Sequence, residues 1–419
     1  MERIKRHILC IDLKSFFASV ECVDRKLNPF TTPLVVASTD VGKGAITLAV
    51  TPYLKKQGIK GRTRLYEIPK HIKYQIVPPR MKRYIEMSKK VVSIYLDFVS
   101  AEDLHIYSID ECFLDITNYL KYYQKDDYQL AELILKTIEE RTGLTATCGI
   151  GPNMLLAKIA MDTEAKKYKN GIAKWKYEDI EEKLWTISPL SKVWGIGSRM
   201  EKRLNRLGIY TIGELAHYNK NKLKDKFGII GEELWEHANG IDNSIIKDFN
   251  KETKDKSFSH SQVLLKDYYN EDILLIVREM LDVITRRLRD ANLESSLIGF
   301  GLSYSKAIGG GFYHSMKLEQ GTDLTETLYP YCVSIFESFY EENMPIRKVS
   351  LAVGTLREKK GVQLNLFETP ENTEKKEILE KAVDEVTHRF GKNSLLKASS
   401  LLEYSTVKKR NQKIGGHHE

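Results

Sequence analysis

The chain has 419 residues, 42% of them hydrophobic and 29% charged, which excludes a disordered polymer and predicts two to four domains with sizeable cores. Its 65 basic and 57 acidic residues leave a net charge of +8, which permits a polyanionic partner without demanding one. No apolar run approaches the roughly 18 residues of a membrane span, and Asp12 cuts the N-terminal run too short for a signal peptide.

The five cysteines (Cys10, Cys22, Cys112, Cys148, Cys332) are widely spaced without a CxxC pair. They predict neither a zinc ribbon nor a disulfide framework, and suit a reduced, cytoplasmic protein.

In chain order, His7–Ile11 reads as a buried strand ending at Asp12, and a helix follows over about 15–25. Residues 33–37 and 45–50 read as two strands joined by a Gly-Lys-Gly turn. Residues 86–99 have helical spacing, with Val91, Ile94, Tyr95 and Phe98 on one face. From His105 to Ile116, two strand-like pieces flank the acidic pair Asp110-Glu111, as in a hairpin. A helix over about 129–142 and a strand over 145–150 complete a strand, helix, hairpin, helix, strand order. That order fits a split βαβ, ferredoxin-like layer with an insertion at about 30–75.

Past residue 166 the character changes. Lys166, Lys167 and Lys169 form a basic turn, and short helices run to Gly240. Residues 191–230 hold nine basic side chains against three acidic ones. Residues 241–257 are polar without periodicity and read as a linker. Strand-like runs at 296–304 and 348–355 then alternate with helices at 273–290 and 326–340, a second α+β domain. A tail from about 359 carries one helix, 374–390.

Three carboxylates stand out. Asp12 interrupts an apolar strand. Asp110 and Glu111 sit between two strands that a split βαβ sheet sets beside the first. Taken singly, each acid reads as a solvated strand-end residue. Together at one sheet edge they would repel and need a cation. Hard oxygen ligands favour Mg²⁺, and a pair of such ions activates a hydroxyl and steadies a leaving phosphate.

Around these acids the sequence resembles a known family. Asp12-Leu-Lys-Ser-Phe-Phe-Ala-Ser-Val-Glu21, Tyr107-Ser-Ile-Asp-Glu-Cys-Phe-Leu-Asp115 and Cys148-Gly-Ile-Gly-Pro-Asn-Met-Leu-Leu-Ala-Lys-Ile-Ala-Met-Asp162 resemble three motifs of the Y-family, lesion-bypass DNA polymerases, in the family's order. The likeness runs along almost the whole chain, and the branch it resembles is the UmuC/UvrX-like proteins of bacteria, phages and plasmids.

That resemblance implies nucleotidyl transfer from a deoxynucleoside triphosphate to a primer 3′-OH on a DNA template. Asp12, Asp110 and Glu111 would hold two Mg²⁺, with the Leu13 carbonyl as an additional ligand. Phe17 falls at the steric-gate position, where a flat ring under the sugar leaves no room for a 2′-OH; Phe16 reads as an ordinary core aromatic. Lys158 matches a lysine that contacts the triphosphate as a point charge. In the fingers segment, Lys55 stands where many relatives carry Arg. Tyr53 is one residue out of place, because Pro52 occupies the usual aromatic position. Without the bidentate fork of Arg, the grip on the triphosphate would rest more on Lys158.

Val193-Trp-Gly-Ile-Gly-Ser-Arg-Met-Glu-Lys-Arg-Leu-Asn-Arg-Leu-Gly-Ile209 resembles a helix-hairpin-helix. Gly195 and Gly197 would let backbone N–H groups approach a phosphate, with Arg199, Lys202, Arg203 and Arg206 adding sequence-blind charge. Gln363-Leu-Asn-Leu-Phe367 resembles the peptide with which bacterial proteins dock on the sliding clamp. There Gln363 supplies an amide, and Leu364, Leu366 and Phe367 fill an apolar groove.

The expected architecture is therefore an α+β, multidomain right-hand polymerase. Its ferredoxin-like palm takes 1–30 and 76–165, small fingers 31–75, and a helical thumb with the helix-hairpin-helix 166–240. A linker at 241–255 leads to an α+β little finger at 256–358 and a C-terminal clamp-binding tail at 359–419. In the family the catalytic region with its fingers runs to about 198. The expected role is low-fidelity translesion synthesis without proofreading, in DNA repair and SOS mutagenesis, by a monomeric chain with no membrane partner. A nucleotide cyclase shares the palm fold but needs neither a helix-hairpin-helix nor a clamp peptide. A non-catalytic DNA-binding scaffold at the fork has no use for all three carboxylates.

Overall fold

The apolar run Ile8–Leu13 forms a strand (β1) that lies between two antiparallel neighbours. A strand buried on both faces can be apolar throughout, and Ile8 to Ile11 are fully buried. This computed structural model describes residues 5–38, 42, 44–249, 257–360, 370–415 and 417–418. They fall into two units, and the chain passes from one to the other near residue 251.

In the first unit, β1 leads through a tight turn into helix α1 (Phe16–Asp24). Ser15 takes a left-handed conformation at that turn. A three-stranded sheet follows, built from β2 (Leu34–Ala37), β3 (Thr47–Val50) and β4 (Gln75–Val77), in the order β3-β2-β4. It carries helix α2 (Pro52–Lys56), whose Pro52 sits at the helix start, where a missing N–H costs nothing. Val35, Ala37, Val50 and Leu54 form its own small core.

Helix α3 (Met81–Leu96) then crosses the main sheet. It starts a turn earlier than the sequence suggested, because Tyr84 and Met87 extend the buried face of Val91, Ile94 and Tyr95. The hairpin β5 (Leu104–Ile106) and β6 (Glu111–Asp115), short α4 (Leu120–Tyr123), α5 (Asp127–Thr142) and β7 (Ala146–Gly151) follow. Asp126 and Gln129 close a capping box at the start of α5. After α6 (Met154–Thr163), β8 (Ile172–Lys174) adds a parallel edge. The order β5-β6-β1-β7-β8 is the ferredoxin-like arrangement with one strand added, so the first strand does lie against the central hairpin.

Four short helices follow in the same unit: α7 (Ser198–Asn205), α8 (Ile212–His217), α9 (Lys220–Phe227) and α10 (Ile229–Ala238). Their core of Leu204, Ile209, Ile212, Leu215 and Leu223 is continuous with Leu155, Leu156 and Ile159 of α6. The expected linker is corrected at its start. Asp242 accepts from the Leu155 N–H at 3.0 Å, and Asn153 donates to the Gly240 carbonyl at 2.9 Å. Helix α11 (Ile246–Phe249) follows, with Ile246 buried against Cys10 and Phe113. Residues 240–249 thus tie back onto the first unit, through two bonds to the start of α6 and one apolar anchor on the sheet, none of which carries periodicity.

The second unit is an antiparallel sheet, β9 (Phe258–Tyr268), β10 (Leu293–Tyr304), β11 (Gly311–Thr322) and β12 (Ile346–Glu358), in the order β11-β10-β12-β9. Helices α12 (Asp272–Asp290) and α13 (Thr325–Phe339) supply Ile276, Met280, Ile284, Leu328 and Cys332 to a core shared with Phe300 and Leu351. The described part of the tail through residue 415 belongs to this unit. Helix α14 (Pro370–Phe390) sets Asp384 against Arg286 at 2.8 Å and Arg289 at 2.6 Å. Lys359 reaches both Asp323 and Glu377. Further on, Ser405 and the Thr406 N–H donate to Glu279 of α12, which is 4% exposed, just before α15 (Val407–Asn411).

Among the described residues no helix is long and apolar enough to cross a membrane. The Gln363–Phe367 peptide lies outside the described residues.

Candidate active site

Asp12 is the fifth residue of β1, and its ladder partner is Glu111 on β6; on the other side it faces Thr147 of β7. Asp110 lies one residue before β6. Its carbonyl accepts from the Leu13 N–H at 2.9 Å, which closes the sheet edge. The turn carrying Asp110 is held from within. Tyr107 and Ser108 both donate their N–H to the Glu111 carbonyl at 3.0 Å. The Ser108 hydroxyl donates to Asp110 Oδ1 at 2.8 Å, and Ser88 donates to the Ile109 carbonyl at 2.6 Å. Three acids far apart in the chain therefore meet at one edge of one sheet.

Two lysines lie among them. Lys158 Nζ lies 2.7 Å from Glu111 Oε1 and 3.1 Å from Asp162 Oδ2. Lys166 Nζ lies 2.7 Å from Asp162 Oδ1 and 3.4 Å from Asp12 Oδ2. The Cys10 thiol also donates to Glu111 Oε1 at 3.3 Å. Burial works against both ammonium groups, yet these carboxylates hold their pKa values above the ordinary lysine value. Asp12 goes the other way. Burial, then repulsion from Asp110 and Glu111, pushes its carboxyl up to about 6, although Lys166 and Lys158 oppose the shift.

This donor set fits a divalent cation. It is all oxygen, it lies where strands β1 and β6 meet the Asp110 turn, and it contains a half-buried carboxylate, Asp12, whose charge the lysines leave under-compensated. Among the described residues no three His, Cys, Asp or Glu side chains are gathered as a ready-made cage, and Glu111 is paired with Lys158.

Phe16 and Phe17, adjacent in α1, have different surroundings. Phe16 is 3% exposed and belongs to the sheet core. Phe17 is half-buried and stacks on Tyr84, with centroids 4.4 Å apart and planes 15° from parallel. Tyr84 is fixed in turn, its hydroxyl donating to Glu21 Oε1 at 2.7 Å. Arg80 and Arg25 pair with the same carboxylate.

Lys55, near the end of α2, reaches solvent beside the acids. Crowding by protein lowers its pKa, while Asp12 and Asp110 pull it back up. Tyr53 packs half-buried against the small core of its own sheet. Lys158, read as a triphosphate contact, is 7% exposed and engaged by two carboxylates. Lys166 and Asp162 are the residues that sequence reasoning missed. Their signal was present in the spacing 158, 162, 166, which stacks two lysines on one acid along a helix face.

The glycine turn precedes α7. Gly195 has φ +90°, a conformation that favours glycine, and a Cβ at Gly195 or Gly197 would meet nothing within 4 Å. Ile196 between them is buried, so their backbone is turned outward. Arg199, Lys202, Arg203 and Arg206 are all exposed, and among the described residues none forms an ion pair. Arg203 lies over the Phe227 ring at 4.5 Å. An open backbone turn with unpaired cations can bind phosphates without reading bases.

Comparison with known proteins gives three family matches. The impB/mucB/samB family matches residues 11–162, its C-terminal domain matches 255–366, and its helix-hairpin-helix motif matches 177–209. The chain is 40% identical over 416 residues to the "Putative UV-damage repair protein UvrX" of Bacillus subtilis (strain 168), covering 99% of this chain and 98% of that protein. It is 34% identical to "DNA polymerase IV 2" of the same organism, with 98% of each covered. Among solved structures, a Y-family DNA polymerase chimera aligns with a TM-score of 0.68 at 20% identity, over 84% of this chain and 99% of that one, a likeness of fold.

Proposed function

Since the chain belongs to the impB/mucB/samB family, the UmuC/UvrX-like branch of the Y-family DNA polymerases, we propose that it extends primers on damaged DNA templates. It is a DNA-directed DNA polymerase, joining a deoxynucleotide to a primer 3′-OH with loss of pyrophosphate. The observation that carries the reading is the ladder pair Asp12–Glu111, closed by the bond from Leu13 to Asp110.

Asp12, Asp110 and Glu111, with the Leu13 carbonyl, would hold two Mg²⁺. Ions held there would lower the pKa of the attacking hydroxyl and stabilise charge on the phosphoryl oxygens. The protein's own part is positioning. The ladder fixes Asp12 against Glu111, and the Ser108 bond orients Asp110. Lys158 and Lys166 offset part of the acids' mutual repulsion. Lys166 and Lys55 are the cations at the edge with solvent access, suited to gripping a triphosphate; Tyr53 is a weaker candidate because it is packed in its own sheet.

Phe17, braced on Tyr84, serves as the steric gate against a 2′-OH. Residues 1–30 and 76–165 act as palm, 31–75 as fingers, 166–240 as thumb and 256–358 as little finger. Gly195, Gly197, Arg199, Lys202, Arg203 and Arg206 grip the duplex backbone. Gln363, Leu364, Leu366 and Phe367 would tether the enzyme to a bacterial sliding clamp, raising its effective concentration at the primer end. The setting is low-fidelity translesion synthesis in repair and SOS mutagenesis, by a cytoplasmic, monomeric chain.

Primer extension past an abasic site tests this reading, with Asp110→Ala as control and with or without clamp. Extension by the wild type alone supports it. Equal extension by both proteins overturns it.

A further inference from the structure

The hairpin that carries Asp110 and Glu111 is bonded to the residue that opens the glycine turn. Trp194 Nε1 donates to the Tyr107 hydroxyl at 3.0 Å. The two rings meet edge-on, 5.8 Å apart at 81°. Phe113 of β6 backs both rings, 6.0 Å from Trp194 and 5.8 Å from Tyr107. Trp194 directly precedes Gly195, the left-handed residue of the open turn. Tyr107 directly precedes Ser108, which holds Asp110, and its own N–H is bonded to the Glu111 carbonyl.

We infer that Trp194 and Tyr107 are positioning residues that couple DNA binding at the Gly195–Gly197 turn to the geometry of Asp110 and Glu111. This rests on the polymerase reading and deepens it. Any movement of the glycine turn as a phosphate seats on it passes through the Trp194 backbone to its indole. The indole passes it to the Tyr107 hydroxyl, and the Tyr107 backbone is part of the turn that aims both carboxylates. The link joins Trp194, packed against the helical core, to the hairpin through Phe113, buried in the sheet beside Cys10, and is made of stiff aromatic rings. Stiff groups transmit small displacements that flexible side chains would absorb. Catalytic geometry is sensitive enough for this to matter, since a misplacement of about 1 Å can cost roughly 100-fold in rate.

Tyr107→Phe and Trp194→Phe test the link, because each keeps a ring and removes the hydrogen bond. Single-turnover extension would be measured at saturating primer-template and nucleotide, together with the primer-template Kd and the melting temperature. The maximal rate should fall about fivefold in each variant, with an unchanged Kd for DNA. The double variant should be no slower than either single one, because the bond can be lost only once. Wild-type rates in both single variants, or multiplicative losses in the double, would overturn the coupling while leaving the polymerase reading intact. A wild-type protein that extends no primer would instead overturn that reading. A merely structural role would lower the melting temperature and weaken DNA binding along with the rate, and that pattern too would overturn the coupling.

Discussion

The Phe17 ring lies flat on the Tyr84 ring, and the Tyr84 hydroxyl is bonded to a Glu21 carboxylate that two arginines also grip. A half-buried aromatic held this way cannot swing aside for a larger sugar without breaking a stack and disturbing an ion-pair cluster. Phe17→Ala should therefore raise ribonucleotide incorporation by roughly 10- to 100-fold relative to deoxynucleotides. Competitive incorporation at one template position measures this. Unchanged sugar preference would remove Phe17 from the gate.

Asp12 holds its charge at a cost in the metal-free protein, because burial and two neighbouring acids push its carboxyl up to about 6. Asp12→Asn should abolish extension and yet stabilise the metal-free protein at pH 7, by on the order of 2 kcal/mol. Added Mg²⁺ should raise the melting temperature of the wild type and leave that of the variant unmoved. Thermal melts with and without EDTA check both statements.

Lys158 and Lys166 should separate when each is changed to alanine. Lys158 is buried against Glu111, whose cation it is, while Asp162 keeps Lys166, so its loss strands the buried Glu111 carboxylate and should cost on the order of 3 kcal/mol. Lys166 is more exposed, and its loss should cost about 1 kcal/mol or less. The Lys166→Ala enzyme should instead show a raised KM for nucleotide. Chemical denaturation and steady-state kinetics on the pair distinguish the two roles.

The exposed cations of α7 predict salt-dependent DNA binding. Arg199→Ala and Lys202→Ala should each weaken binding alike on unrelated sequences. Each should also lower the slope of log Kd against log salt by about 1 for every phosphate that is no longer neutralised. Fluorescence anisotropy across a salt series gives the slope. Weakening confined to one DNA sequence would contradict a grip on the backbone alone.

In the second unit, burial and the nearby Arg410 and Arg287 lower His260 from 6.5 to about 4. Between those values the unfolded chain takes up a proton that the folded chain refuses, so stability falls as pH falls from 6.5 toward 4. His260→Gln should flatten that part of the profile. Melting temperatures from pH 7 to pH 5 for both proteins test it, and identical slopes would mean that other groups set the dependence.

Much of this was legible in the sequence for physical reasons. Asp12 stood out because a charge inside a doubly buried strand needs a cause, and its pairing with the Asp110 hairpin followed from the split βαβ order. What escaped notice lacked periodicity. Strands β9 and β11 are the two edges of their sheet; β11 is exposed along most of its length, and β9 alternates in burial but sets Ser259, His260, Ser261 and Gln262 where an apolar pattern would have marked a strand. Asp242 and Ile246 act singly, as a cap and an anchor. The bond from Trp194 to Tyr107 joins residues 87 positions apart, a pairing that no local pattern encodes.

The Asp384 clasp on Arg286 and Arg289, with Glu279 receiving Ser405 and Thr406, also bears on how the chain can be shortened. Residues beyond 370 complete the second domain's charge balance, so cutting there exposes two arginines and a buried glutamate. A shortened protein that fails to replicate DNA would thus have lost part of its architecture, and only point changes within 363–367 can report on recruitment alone.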